Sequence, residues 1–332
     1  MKRILLILLG CFCLTGCYDY QELNHNYVVM GIGIDKYDGK YEVVYEMVDP
    51  QKRSEEGLDQ PIVVKSIGTT LEGTFLKLNQ SLTKEPTFSH VPVVFFGENI
   101  ALEGTDEALT YLALNPRIHP TFYPALIKGP MTHFFDLEES FCSTQVQEQI
   151  DFNENSLLVA SKQTFREFYD VFLDKRKDAT INVVERENRS CKITGLGAFQ
   201  GNQWSFYLNN QETNLIQLFN GSIDHFPLEF DYSFQDSLLI DVSLKKKPTL
   251  SFDSDTVFIH LDMDDSLPSE QSFPIQKIWG QKILAFIKKL QLHKTDLLGI
   301  QRIFFQRNRF DLEDWTKQNI KVIINDWEVK IP

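Results

Sequence analysis

The 332-residue sequence is poor in cysteine, methionine and tryptophan, with five, five and four of each. Five scattered cysteines cannot form the disulfide framework of a small secreted scaffold. Its seven histidines, His25, His90, His119, His133, His225, His260 and His293, are dispersed. None pairs with another at the close helical spacing of a metal site, so we expect no metal ligands. Basic charge is also scarce: 33 Lys and Arg stand against 46 Asp and Glu, a net charge of −13. That field repels phosphate backbones, which argues against a nucleic-acid partner, and charge alone would not hold the chain on anionic lipid. Low-complexity segments and internal repeats are missing, and no Gly-x-Ser-x-Gly elbow is present. With 42% hydrophobic and 24% charged residues, the composition is that of a globular protein and excludes wholesale disorder.

Phenylalanine, by contrast, is plentiful at 26 residues. It suits several compact cores, or one core and an apolar docking face, and composition does not choose between them. At about 150 residues per domain the length allows two or three domains.

The N-terminus carries the most specific signal. Lys2 and Arg3 precede an apolar run from Ile4 to Leu14. That run is signal-peptide length and falls short of the roughly 20 residues that span a bilayer. It ends Leu14-Thr15-Gly16-Cys17, the pattern of a bacterial lipobox. We expect residues 1–16 to be a signal peptide and Cys17 to be the lipidated first residue of the mature chain. A diacylglyceryl group brings two acyl chains at once, and two are what stable anchoring requires. The mature chain would sit on the outer face of a membrane with 31 basic and 46 acidic side chains, a net charge of −15. Only Cys142 and Cys191 would then remain. We read them as free buried thiols, with a pair as the alternative.

Beyond a polar leash the apolar pattern predicts a hairpin over residues 27–48, turning at Asp38-Gly39. In its second strand Tyr41, Val43, Tyr45 and Met47 form one face, with Glu42 and Glu46 on the outer one. Strands are expected at 62–67, 91–96 and 122–128, with helices at 69–82 and 106–114 between them. Helices follow at 136–144 and 161–173, a strand at 181–184, a hairpin over 193–208 and a helix at 212–219. The C-terminal part reads as strands at 237–244 and 256–263, a long helix at 274–292 and a strand or strand pair over 319–331. The implied fold class is α+β, as two or three consecutive mixed-sheet domains with helices packed on the sheets. We place an N-terminal region at 17–190, with a possible subdomain break near 132, and a C-terminal domain at 191–332. The boundary follows the polar turn at 185–190.

Other constellations read as structure. Gly195-Leu196-Gly197 lacks dinucleotide-loop spacing and fits a hairpin. Asp262-Met263-Asp264-Asp265 lacks the remaining calcium ligands. Asn188-Arg189-Ser190 is a glycosylation sequon only in eukaryotic secretion. Lys245-Lys246-Lys247 is a solvated turn or a contact for lipid phosphates or an acidic partner, and we favour the turn. Arg302, Arg307 and Arg309, interleaved with Phe304, Phe305 and Phe310, suggest an anion or docking patch, and alternating faces of a strand, Phe inward and Arg outward, explain them as well.

Five segments together resemble the C-subunit lipoproteins of spore germinant receptors, the Ger(x)C family. They are Leu14 to Asp19 with Glu22-Leu23-Asn24; Gly31-Ile32-Gly33-Ile34-Asp35; and Phe88-Ser89-His90-Val91 with Gly97-Glu98, Ala101 and Gly104. The fourth is Thr194 to Phe199 with Glu212-Thr213 and Leu218-Phe219-Asn220-Gly221. The fifth is Lys294 to Ile300 with Trp315 downstream. Tyr18 departs from the usual Trp, and the stretch from Lys245 to Ser272 looks compressed. The resemblance implies a non-enzymatic, lipid-anchored subunit in the spore inner membrane, without cofactors. Its partners would be two polytopic membrane subunits, A and B, in a complex that responds to nutrients. It leaves open whether this subunit binds nutrient directly. A solute-binding lipoprotein of a transport system is the alternative. It shares the lipobox, but the predicted antiparallel pairs do not suit its two doubly wound lobes.

Overall fold

A computed structural model describes residues 26–52, 60–136, 140–152, 160–223, 225–233, 236–253, 255–264, 269–325 and 327–329. Cys17 and the signal segment lie outside these residues. The predicted hairpin is present as β1 (Tyr27–Tyr37) and β2 (Lys40–Val48), with Asp38 and Gly39 at positive φ in the turn. β3 (Ile62–Gly68) pairs with β2, and the short β4 (Pro86–Thr87) with β1. β5 (Val93–Phe96), β6 (Tyr123–Ile127) and β7 (Thr180–Glu187) run parallel to β1. β8 (Ser190–Gln200) and β9 (Gln203–Leu208) complete the sheet as antiparallel neighbours. The order is β3-β2-β1-β5-β6-β7-β8-β9. All four residues of β5 are buried, as expected of a parallel strand covered on both faces.

One face is covered by α1 (Leu71–Ser81), α2 (Glu98–Glu103), α3 (Asp106–Leu114) and α6 (Phe165–Leu173). The opposite face carries α4 (Met131–Phe134) and α5 (Cys142–Asp151). Gly31 and Gly33 let this second layer approach. A Cβ on Gly33 would lie 2.6 Å from Phe135, and one on Gly31 would lie 3.1 Å from Ser143.

This layer corrects the reading of β2 as half-exposed. Glu42 and Glu46 are both buried, and the start of α5 covers Glu46. The turn at 185–190 is the tip of the β7–β8 hairpin, inside one continuous sheet. The sheet also spans residue 132. After that tip, Leu196, Ala198, Phe206 and Leu208 face a second core, shared with the C-terminal part.

That part contains α7 (Asn210–Asn220), a two-stranded ribbon of β10 (His225–Ser233) and β11 (Asp236–Ser243), and a four-stranded sheet. The sheet's order is β12 (Thr249–Asp253), β13 (Thr256–Leu261), β14 (Asn319–Ile324), β15 (Trp327–Glu328). β13 and β14 are parallel, and α8 (Ser269–Leu292) and α9 (Ile300–Asn308) lie in the crossover between them. α8 buries Trp279, Ile283, Phe286, Ile287 and Leu290. Gly280 brings its backbone so close to Val329 that a Cβ would sit 2.3 Å away. The architecture is mixed sheets with packed helices, the α+β class expected.

The phenylalanines mainly build cores. Phe95, Phe96, Phe122, Phe134, Phe165, Phe168 and Phe199 are among the largest fully buried side chains, whereas Phe152 and Phe310 are exposed singly. The alternating-strand reading of residues 302–310 is overturned. Residues 300–308 form α9, because Gly299 at φ 69° turns the chain and Asp296 caps the first turn.

Candidate functional site

In open parallel sheets ligands settle at the carboxyl ends of the strands, often against a helix N-terminus. At the ends of β1 and β5 that space is filled by the chain itself. Asp35, near the end of β1, is 1% exposed. Its carboxylate accepts from the Ile100 backbone N–H at 3.0 Å and from Asn99 Nδ2 at 3.1 Å. The Gly97 N–H donates to the Ile34 carbonyl at 2.9 Å. A Cβ on Gly97 would fall 2.1 Å from the Asp35 carboxyl carbon. Thus the Gly31-to-Asp35 motif and Gly97 are two halves of one cap on α2.

Glu46 repeats the device on the other face. Its carboxylate accepts from the Cys142 N–H at 2.7 Å, from the Ser143 N–H at 3.0 Å and from the Ser143 hydroxyl. Burial pushes its pKa above the usual carboxylate range, against the pull of these three donors. Next to it, Cys142 and Cys191 are joined in a disulfide, with Cα atoms 5.4 Å apart. The free-thiol reading is therefore corrected. The two residues are 49 apart in sequence, and the packing of α5 on β8 brings them together.

A pair of acids joins the large sheet to the C-terminal part. The Asp178 N–H donates to the Asp296 carbonyl at 3.0 Å, and the Asp296 N–H donates to Asp178 Oδ2 at 2.7 Å. Asp178 Oδ1 also accepts from Gly201 N–H at 2.8 Å, in the β8–β9 turn. Asp296 accepts from the Ile300 and Gln301 N–H groups at 2.9 and 2.8 Å. Burial pushes Asp296 up to about 7, and burial also raises Asp178.

Among the described residues, two open clefts stand out. One of about 410 Å³ lies at the amino ends of β5 and β6, among Met30, His90, His119, Thr121 and Gln147. It places His90 and His119 at the same opening. The other, about 250 Å³, lies where α7 and α8 meet the sheet. It includes Thr194, Gly195 and Glu212 from the fourth motif, together with Lys128, Tyr207 and Lys289. Its cations are already matched: Lys289 bonds both Glu212 oxygens at 2.9 Å, and Lys128 pairs with Glu185. Tyr207 donates to Glu98, and burial with this carboxylate raises its pKa.

The remaining motif residues shape the backbone. Glu212 and Asn209 form a reciprocal capping box on α7, and Gly221 ends that helix at φ 73°. Among the lysines of 245–247, Lys246 pairs with Asp262 at 2.6 Å and Lys247 donates to the Asn220 carbonyl at 2.8 Å. Among the described residues no group of three His, Cys, Asp or Glu is placed to hold a metal ion. No described helix is long and apolar enough to cross a membrane. Sequence reading missed the capping roles of Asp35 and Glu46. The available signal was an acid embedded in an otherwise apolar strand.

Comparison with known proteins agrees with this architecture. The family model for the spore germination protein N-terminal domain matches residues 19–186. Spore germination protein A3 of Bacillus subtilis (strain 168) is 22% identical over 229 residues, covering 67% of this chain and 61% of that protein. The putative spore germination protein YfkR of the same organism is 29% identical over 123 residues, covering 35% of this chain and 32% of its own length. The chain thus spans less than two thirds of these curated relatives. The crystal structure of the GerBC protein superposes with a TM-score of 0.53 at 15% identity, covering 94% of this chain and 99% of that one. The chain belongs to the spore germination protein family.

Proposed function

We propose that this family member is the lipid-anchored C subunit of a nutrient germinant receptor and takes part in triggering spore germination. The observation that carries the reading is the position of the family match. It begins at residue 19, two residues after the lipobox cysteine, Cys17. The Cys142–Cys191 disulfide supports an outward-facing location, because disulfides persist in oxidising compartments outside the cytoplasm. The subunit acts without chemistry of its own: its buried acids hold helices in place.

Its partners are the two polytopic membrane subunits, A and B, and its location is the spore inner membrane. Anchoring confines the chain to the plane of those partners and raises its effective concentration there, so modest affinity per contact is enough. The transport alternative gains no support from the fold: the described residues form a nine-stranded sheet, a four-stranded sheet and a two-stranded ribbon, not two alike lobes.

Metabolic labelling with a fatty-acid analogue tests the anchor. Label should enter the native chain and be lost in Cys17→Ala, which should also leave the membrane fraction and impair germination. Label retained by Cys17→Ala would refute lipidation at this residue. Failure of the tagged chain to co-purify with two polytopic proteins would refute the receptor reading.

A further inference from the structure

Three cations meet where α7, the loop after β11 and α9 converge, in a chain whose net charge is strongly negative. Lys177 Nζ donates to Asn220 Oδ1 at 2.9 Å. Lys247 Nζ donates to the carbonyl of the same residue at 2.8 Å. Both ammonium groups therefore lie against Asn220. The stem of Lys177 crosses Gly299, where a Cβ would be 3.2 Å from Lys177 Cδ and 3.8 Å from Arg302 Cβ. Arg302 thus borders the same spot from the first turn of α9.

Two of these cations suit the C-terminus of α7, whose last carbonyls attract positive charge. One carbonyl and one amide oxygen do not require two ammonium groups and a guanidinium. Each ammonium carries three donors and spends one on Asn220. The crowding has a cost: burial, and then Arg302 and Lys247, lower the pKa of Lys177.

The acids facing the cluster offset it only in part. Asp174 holds Arg302 at 3.3 Å. Asp296 is buried, with its oxygens turned to the α9 backbone. Neighbouring charges are engaged elsewhere: Arg176 with Asp311 and Lys246 with Asp262, each at 2.6 Å.

We infer that Lys177, Lys247 and Arg302 form a binding site for a phosphate-type oxyanion at the junction of the two units. A phosphate-type oxyanion would accept the donors left on both ammonium groups and the guanidinium, and its negative charge would offset their mutual repulsion. It would also tie residue 177, which precedes β7, to α7 and α9. The site does not depend on the receptor assignment. The oxyanion is free phosphate or the phosphodiester of a lipid headgroup.

The test uses the full chain in a neutral detergent, with inorganic phosphate replacing chloride at constant ionic strength. Amine acetylation is read lysine by lysine by mass spectrometry. Acetylation of Lys177 and Lys247 should fall several-fold and saturate with phosphate, while Lys128 and Lys289 stay unchanged. Lys177→Gln should raise the half-saturating phosphate concentration for protecting Lys247 about ten-fold, the loss of one charge-assisted bond. Lys247→Gln, at an exposed position, provides the reciprocal measurement on Lys177. Uniform protection of all lysines, or curves unchanged in both variants, would overturn the site. Micelles doped with phosphatidylglycerol separate the sources. Protection without added phosphate identifies a headgroup, and protection by phosphate alone identifies the free ion.

Discussion

In the nine-stranded unit, α2 and α5 take their capping carboxylates from distant strands, whereas α1 and α6 are capped locally by Thr70 and Thr164. Asp35 reaches Ile100 across 65 positions, and Glu46 reaches Cys142 across 96. In the C-terminal unit and the helix leading into it, the caps are local. Glu212 and Asn209 serve α7 from three positions apart, and Asp296 serves α9 from four and five. Every helix start leaves N–H groups that need partners. Where the partner comes from decides what its loss does. A distant cap is also a tertiary contact, so removing it should loosen the sheet. A local cap should fray only its own helix.

The largest effect should come from the covalent version of a distant contact. Opening Cys142–Cys191 with Cys142→Ser and Cys191→Ser releases a loop of 49 positions. The chain-entropy model puts that at about 4 kcal/mol. The urea midpoint of the whole nine-stranded unit should drop. An unchanged midpoint would show that α5 is held by packing alone.

Glu46→Ala comes next. It leaves the Cys142 and Ser143 N–H groups buried without an acceptor, at about 3 kcal/mol for the pair. Glu46→Gln should recover little of this, since its amide turns an N–H₂ group toward donors. Full recovery by Gln would mean that volume, not hydrogen bonding, sets the role of Glu46.

Legibility in the sequence follows the same division. Local devices were readable: the Asp38-Gly39 turn, the 193–208 hairpin, and helices near 106–114 and 212–219. So was the family, from five short segments. Distant devices were not. Glu46 looked like a solvent-facing residue because strand alternation cannot reveal that α5 covers the second face. Cys142 and Cys191 looked like free thiols because their proximity depends on packing 49 residues apart. The polar turn at 185–190, read as a domain edge, is the tip of the β7–β8 hairpin, and the family match ends beside it at residue 186. Arg302 to Phe310 fit a strand because the alternation of Arg and Phe carries no sign of the cap that Asp296 gives α9. Asp35 and Asp296 lay within recognised motifs, yet their partners were visible only in three dimensions.

The junction between the units should respond to pH. The folded-state pKa of Asp296, about 7, is above the ordinary carboxylate value. The folded chain therefore holds this proton more tightly than the unfolded one. Its contribution is complete below the ordinary carboxylate range and is lost as pH rises from about 4 to about 7. Asp178 is raised as well and acts in the same direction. Asp296→Asn should remove most of this slope, on the order of 3 kcal/mol between pH 5 and pH 8. Urea midpoints at pH 5 and pH 8 measure it. A slope unchanged in the variant would place the proton on other groups.

The smallest effect separates the two kinds of cap most clearly. Glu212→Ala breaks the capping box of α7 and the pair with Lys289, which is about one-third exposed. The expected cost is about 1 kcal/mol, the usual value of a cap, with little added by a partly hydrated ion pair. Hydrogen exchange should rise in the first turn of α7 and leave β1, β5 and β6 protected. Exchange spreading into those strands would show that α7, packed against β8 and β9, is as deeply tied to the large sheet as α5. In that event sequence distance would no longer predict which caps the fold depends on, and the shared core around Leu196 and Phe206 would have to be treated as one cooperative body with the sheet.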